Sequence, residues 1–255
     1  MKNVLFMMLL IPVMAISHSG EGYAVLENGM ITPNPAKITE FESGLAAHNK
    51  TYHGSGIFGA RVYWIANGKN TGSYVWVMGP IPWSEIDKRP AQKEHDTDWN
   101  KNVLPYVLPQ GDQTYWRFHP ELSNFQKDVT LKNLLVAIYD IKRMKSKEMI
   151  EMLKKVHNTM VEKFPEETFS MYTNEMPSMT DGQDLAFVSF FEKLAWMGLE
   201  SKFSQKFDEV NGPGSFEKFL KDWEDITHGK YSSEMWIYRE DLSGLDGEIK
   251  AISRQ

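Results

Sequence analysis

The densest run of chemically capable side chains is His48-Asn-Lys-Thr-Tyr-His53. His48 falls on an apolar stripe with Phe41 and Leu45, while Asn49 and His53 are i, i+4 neighbours. An imidazole so placed could act as a general base, ligate a metal ion or ligate haem iron. It could equally fasten helix to sheet through a buried hydrogen bond, and the recurrence of His-Asn at His157-Asn158 favours that use. His95-Asp-Thr-Asp98-Trp99 offers an imidazole with the carboxylates of Asp96 and Asp98. Such a set can hold zinc or a hard divalent ion, but acids at this spacing also cap helix starts, and capping without a metal is the expectation. Arg117 and His119 share one strand face with Tyr115, because side chains alternate with period two. A guanidinium among aromatics suits a ligand carboxylate or enolate, or an internal ion pair. His48, Arg117 and His119 are therefore the candidate catalytic residues.

Trp64, Trp76, Tyr115, Trp116 and Trp236 lie on predicted strands. They either fill a core or line an apolar ligand cavity. Asn49-Lys-Thr51 also spells a glycosylation sequon. The chain has no P-loop, no G-x-G-x-x-G, no G-x-S-x-G and no H-E-x-x-H, so nucleotide-dependent and common hydrolase chemistry has no motif here.

The ends and composition narrow the setting. Lys2 precedes an apolar run from Val4 to Ile16, followed by small residues around Ala15, Ser17 and Ser19. That run is shorter than the roughly 20 residues a membrane span needs. It predicts a cleaved signal peptide over 1–17 and a periplasmic or extracellular protein. With 0 cysteines, neither disulfides nor thiolate ligands are available. Aromatics at 13% and 15 methionines imply a large apolar interior. A net charge of −6 without a basic stripe argues against nucleic-acid partners. No later run is apolar enough to span a membrane, and a monomer or homodimer is expected.

The elements that must position these residues come in two similar series. Trp116, Leu122 and Ser123 recur in order as Trp236, Leu242 and Ser243, and the Tyr74 to Val77 region parallels Leu185 to Val188. In the first half, strands are predicted at Tyr23 to Ile31, Arg61 to Ala66, Ser73 to Met78 and Gln113 to His119. A helix carries Ile38, Phe41, Leu45, His48 and Tyr52, and shorter helical pieces sit at Trp83 to Asp87 and His95 to Leu104. In the second half, strands are predicted at Leu134 to Ile141, Phe169 to Asn174, Leu185 to Phe191 and Ser233 to Tyr238. A helix spans Ser146 to Phe164, and a helical stretch is broken at Asn211-Gly-Pro-Gly214. This gives two repeats, 20–124 and 129–243, with a loosely ordered polar tail at 244–255.

Both faces of these strands are apolar: Leu134, Val136 and Ile138 alternate with Leu135, Ala137 and Tyr139. An antiparallel sheet covered on one side should alternate with polar residues instead. Helices can cover one face, so the other should meet the matching face of the second half. The fold class expected is α+β, two ferredoxin-like β-α-β-β-α-β units packed sheet to sheet as an intramolecular barrel. This element order resembles the dimeric α+β barrel superfamily, with the pair fused in one chain. That group includes cofactor-free monooxygenases, stress-responsive barrel proteins and haem-handling relatives of chlorite dismutase. The resemblance implies either a cofactor-free or haem-dependent oxygenase or isomerase. The residues themselves point first to an exported protein binding a small apolar or aromatic ligand in an aromatic-lined cavity.

Overall fold

The period-two alternation noted above is realised as a closed ring of strands. A computed structural model of the chain describes residues 22–89, 93–178 and 180–251, and the predicted signal peptide lies outside them. The elements of the first part are β1 (Ala24–Pro33), α1 (Ile38–Tyr52), β2 (Ala60–Ile65), β3 (Tyr74–Pro82), α2 (Trp83–Ile86), α3 (Lys93–Asn102) and β4 (Val107–Phe118). A short β5 (Val129–Thr130) leads into β6 (Asn133–Ile141), α4 (Ser146–Lys163), β7 (Thr168–Asn174), β8 (Leu185–Phe191), α5 (Phe203–Asn211), α6 (Ser215–Ile226) and β9 (Thr227–Tyr238), and β10 (Glu248–Ile249) follows.

The barrel order is β1-β3-β2-β9-β6-β8-β7-β4, with β4 pairing back to β1, and every ladder is antiparallel. The order β4-β1-β3-β2 in the first part matches β9-β6-β8-β7 in the second. Register shifts near Val25/Glu27 and Tyr139/Ile141 supply local bends of the kind a closing sheet uses. Ser123 and Ser243 take the same role after β4 and β9. Each donates its hydroxyl to the carbonyl four residues back, at 2.7 Å. Each then accepts a backbone N–H from a neighbouring strand, Met171 for Ser123 and Val62 for Ser243.

Outside the ring, α1 and α3 cover the first sheet through Phe41, Leu45, Val62, Tyr74 and Val103. The helices α4 and α6 cover the second through Met149, Leu153, Phe169, Met171 and Ile226. Fully burying a side chain such as Phe41 or Leu45 contributes roughly 1.5–3 kcal/mol each. The break between α5 and α6 follows from Pro213 flanked by Gly212 at φ 102° and Gly214 at φ 74°, which an L side chain would strain. Asp208 then starts α6 by accepting from the Phe216 backbone N–H at 2.7 Å.

The tail differs from expectation. Residues 244–251 do not trail away: Gly244 and Leu245 both donate to the Ala60 carbonyl, and β10 pairs with β5 across one barrel end. Ile249 packs into the interior cluster, so an apolar residue within a polar stretch fixes the segment.

Docking of α3 on α1 depends on a close approach. A Cβ at Gly44 would lie 1.9 Å from the Asn102 carbonyl oxygen. Gly44→Ala therefore lowers stability by about 1–3 kcal/mol through overpacking, despite a helix-propensity gain of up to about 1 kcal/mol. Thermal unfolding checks this, and a melting temperature at or above that of the wild type contradicts the close packing.

Candidate functional site

The inward residues of all eight barrel strands enclose a cavity of about 400 Å³. Its wall is Leu26, Asn28 and Met30 from β1; Tyr63 and Ile65 from β2; Val75 and Val77 from β3; and Trp116 and Phe118 from β4. The second part supplies Leu134, Val136, Tyr172, Ala186, Val188, Phe190 and Trp236. Ligand pockets commonly span about 300–1,000 Å³, so this space suits a small molecule. Lys69, Asn70, Asp112 and Gln183 make one rim polar, and Glu248, Ile249 and Lys250 of the tail segment lie along the lining.

A few polar groups stand within this apolar wall. Asn28 Oδ1 is buried without a hydrogen-bond partner. Glu234, 3% exposed, accepts from Asn70 Nδ2 at 2.8 Å and Trp236 Nε1 at 3.0 Å. Burial pushes the Tyr63 hydroxyl well above the usual phenol range and the Tyr172 hydroxyl up to about 12. Both phenols therefore remain neutral donors at any physiological pH. The arrangement can hold a flat apolar molecule and hydrogen-bond a carbonyl or hydroxyl on it.

The aromatic residues expected at the wall divide between the two faces of the sheet. Trp116 and Trp236 line the cavity, whereas Trp64, Trp76 and Tyr115 do not. Trp64 and Trp76 face outward under α1, where the Trp76 indole donates to Asn49 Oδ1 at 3.0 Å, and Tyr115 packs on Trp83 with ring centroids 4.8 Å apart. Alternation tells which residues share a face but not which face turns inward. Tyr63 and Tyr172 were missed for that reason; Arg61, Tyr63 and Ile65 formed a set as regular as Val62 and Trp64.

The candidate catalytic residues also sit outside the cavity. Arg117 faces outward with its guanidinium 4.0 Å from the Tyr23 ring centroid. Tyr23 in turn donates to Glu175 Oε2 at 2.6 Å. Both nitrogens of His119 are engaged, Nδ1 with Glu121 Oε1 at 3.0 Å and Nε2 with Thr173 Oγ1 at 2.8 Å. His48, 1% exposed, bonds through Nδ1 to Asp98 Oδ2 at 2.8 Å. Burial holds its pKa below the usual imidazole value, with the Asp98 contact opposing. The helix-to-sheet fastening suggested by the His157 match is not what His48 does, since its partner is a carboxylate on α3. Asp96 contacts the His95 ring at 3.0 Å. Asn49 is fully buried, with Nδ2 donating to the Leu242 carbonyl at 2.7 Å, so the sequon cannot be modified in the folded chain.

Haem fits neither the cavity's described lining nor His48. Among the described residues the cavity lining contains no histidine, and the His48 ring is hemmed in by Tyr52, His53, His95 and Trp99 at centroid distances of 4.6–5.4 Å. No open macrocycle-sized face is left on its free nitrogen.

Comparison with known proteins supports the fold. No family model matches the chain, and no curated protein matches it. A candidate monooxygenase from Lactobacillus acidophilus is similar over 90% of this chain and 100% of its own, at 11% identity and a TM-score of 0.54. An anthrone oxidase-like protein is similar over 86% of this chain and 92% of its own, at 8% identity and a TM-score of 0.50. A chlorite dismutase variant from Candidatus Nitrospira defluvii covers 88% of this chain and 95% of its own, at 6% identity and a TM-score of 0.52. The chain thus has the mixed α+β architecture of these ferredoxin-like neighbours. Among the described residues, no helix is long and apolar enough to cross a membrane.

Proposed function

We propose that this chain is an exported binding protein that takes a small aromatic or apolar molecule into the barrel interior, and that its barrel arose from two copies of one ferredoxin-like unit, 20–124 and 129–243. The observation that carries the binding role is the 400 Å³ cavity walled by inward side chains of all eight barrel strands, with Asn28 Oδ1 buried and unpartnered in its wall. Apolar walls with a few placed polar groups are the usual composition of a small-molecule site. The matching strand orders and the paired roles of Ser123 and Ser243 support the two-copy origin.

A second reading, an oxygenase or isomerase working on the same ligand class, draws on the names of the fold neighbours. In that case Tyr63 and Tyr172, rather than the outward-facing His48, Arg117 and His119, would donate to a developing enolate oxygen. Turnover of the bound molecule separates this reading from simple binding.

The test is titration with 2-naphthol, an aromatic hydrophobe bearing one hydroxyl, followed by tryptophan emission. Saturable 1:1 quenching is expected, and Ala186→Phe, which projects a ring into the cavity from β8, weakens it at least tenfold while the melting temperature is retained. Absence of saturable binding, or affinity unchanged in Ala186→Phe, contradicts the cavity reading.

A further inference from the structure

On the outer side of the sheet, away from the cavity, three imidazoles stand together, each offering one ring nitrogen within 4.8 Å of the others. His48 lies in the last turns of α1, His53 caps that helix, and His95 sits in the first turn of α3. Each Nδ1 contacts an oxygen acceptor: His48 meets Asp98 Oδ2 at 2.8 Å, His53 the Phe58 carbonyl at 2.8 Å, and His95 Asp96 Oδ1 at 3.0 Å. Ionised carboxylates and carbonyls only accept, so each Nδ1 carries its proton and each Nε2 presents a lone pair. His53 Nε2 and His95 Nε2 then face each other at 3.2 Å. His48 Nε2 is buried with no hydrogen-bond partner. The three ligand atoms all lie within 4.8 Å of one another. Lone pairs held this close repel unless a cation sits among them.

We propose that His48, His53 and His95 bind one divalent transition-metal ion of the zinc class through their Nε2 atoms, with Asp98 orienting His48 from behind. Imidazoles bound to zinc at about 2.0–2.1 Å in a tetrahedron place their nitrogens about 3.3 Å apart, close to the separation of His53 and His95. Neutral imidazoles without an inward carboxylate or thiolate select zinc, cobalt, nickel or copper over magnesium and calcium. Hydrogen bonds from the far ring nitrogen to carboxylate or carbonyl fix tautomer and orientation, as at known histidine-ligated metals. The His53 backbone N–H is tied to the Asn49 carbonyl at 2.8 Å, and the rings of Trp76 and Trp99 pack against His53 and His48, so the ligands are held before any ion arrives. Three protein ligands leave a fourth position for water or a small anion. It lies on the side of His95, whose side chain is 31% exposed.

The test uses the untagged chain, stripped with a chelator and titrated with Co²⁺ as probe, then competed with Zn²⁺. Wild type should develop visible d–d absorption saturating at one ion per chain, lost on adding zinc, with a rise in melting temperature. His53→Gln and His95→Gln each weaken binding at least 100-fold, Asp98→Asn weakens it 10- to 100-fold, and His119→Gln leaves it unchanged. Circular dichroism of the metal-free variants shows that the fold persists. A cluster closed by a shared proton gives no saturable cobalt spectrum, which overturns the proposal. Binding that survives in both His53→Gln and His95→Gln overturns it as well.

Discussion

Replacing Arg89 with methionine lowers the unfolding free energy by about 3 kcal/mol, and adding Glu27→Gln to the same chain restores most of it. Glu27 is only 4% exposed although it lies on the outward face of β1. Its carboxylate accepts from Gln113 Nε2 at 2.7 Å and is paired with the Arg89 guanidinium. Removing the cation alone leaves a buried negative charge with one neutral donor, which costs far more than the pair contributes as a unit. Arg89 is 39% exposed, so water offsets part of this loss. The pair also matters beyond β1, because Arg89 lies between α2 and the helix carrying His95 and Asp98. Urea denaturation of the two single variants and the double variant measures the coupling. A loss below about 1 kcal/mol in Arg89→Met, with additive single effects, contradicts the role given to this pair.

The metal-free protein loses stability as the pH falls from 6.5 toward 4. Burial holds His53 down to about 4 from the ordinary 6.5, with the Phe58 carbonyl opposing. His48 is shifted the same way, again chiefly by burial. The unfolded chain takes up these protons below pH 6.5 while the folded chain refuses them until about pH 4, so the stabilisation is complete above 6.5 and is lost through that interval. For His53 the full loss is on the order of 3 kcal/mol. The carboxylates held below their usual range, such as Asp98 and Asp241, act at lower pH and do not mimic it. In chelator, the melting temperature of wild type should drop across this window and that of His53→Gln should drop less. A flat profile, or equal losses in both proteins, contradicts the buried neutral imidazole.

Much of this architecture was legible from pattern alone. Leu185 to Phe191 reads as a strand because an apolar run rich in aromatics, interrupted only by Ser189, follows turn-favouring residues, and β8 has those bounds. The apolar stripe of α4 and the Asn211-Gly-Pro-Gly214 break were equally plain, since helical period and proline act locally. Which strand face turns inward was not legible. Trp76 looked suited to a cavity, yet its indole N–H is satisfied by Asn49, a residue 27 positions earlier on another element. Long-range polar pairing of this sort leaves no periodic trace. The three-imidazole cluster shows the same limit. His48 and His95 were each conspicuous, but their meeting depends on the α1–α3 contact at Gly44, and His53 gains its orientation from the Phe58 carbonyl. Likewise, β10 is too short and too polar in its surroundings to announce that Ile249 closes a barrel end.

On the proposed function, the barrel interior, rather than the helix–sheet layers, takes the ligand. Methyl NMR of the valine-labelled chain with 2-naphthol addresses it most directly. Val75, Val77, Val136 and Val188 line the cavity, whereas Val25, Val62 and Val103 lie in the outer cores. Saturable shifts confined to the first four valines are the expected result. Shifts at Val62 and Val103, or none at all up to the solubility of the probe, would place the binding site elsewhere and remove the barrel interior from the protein's function.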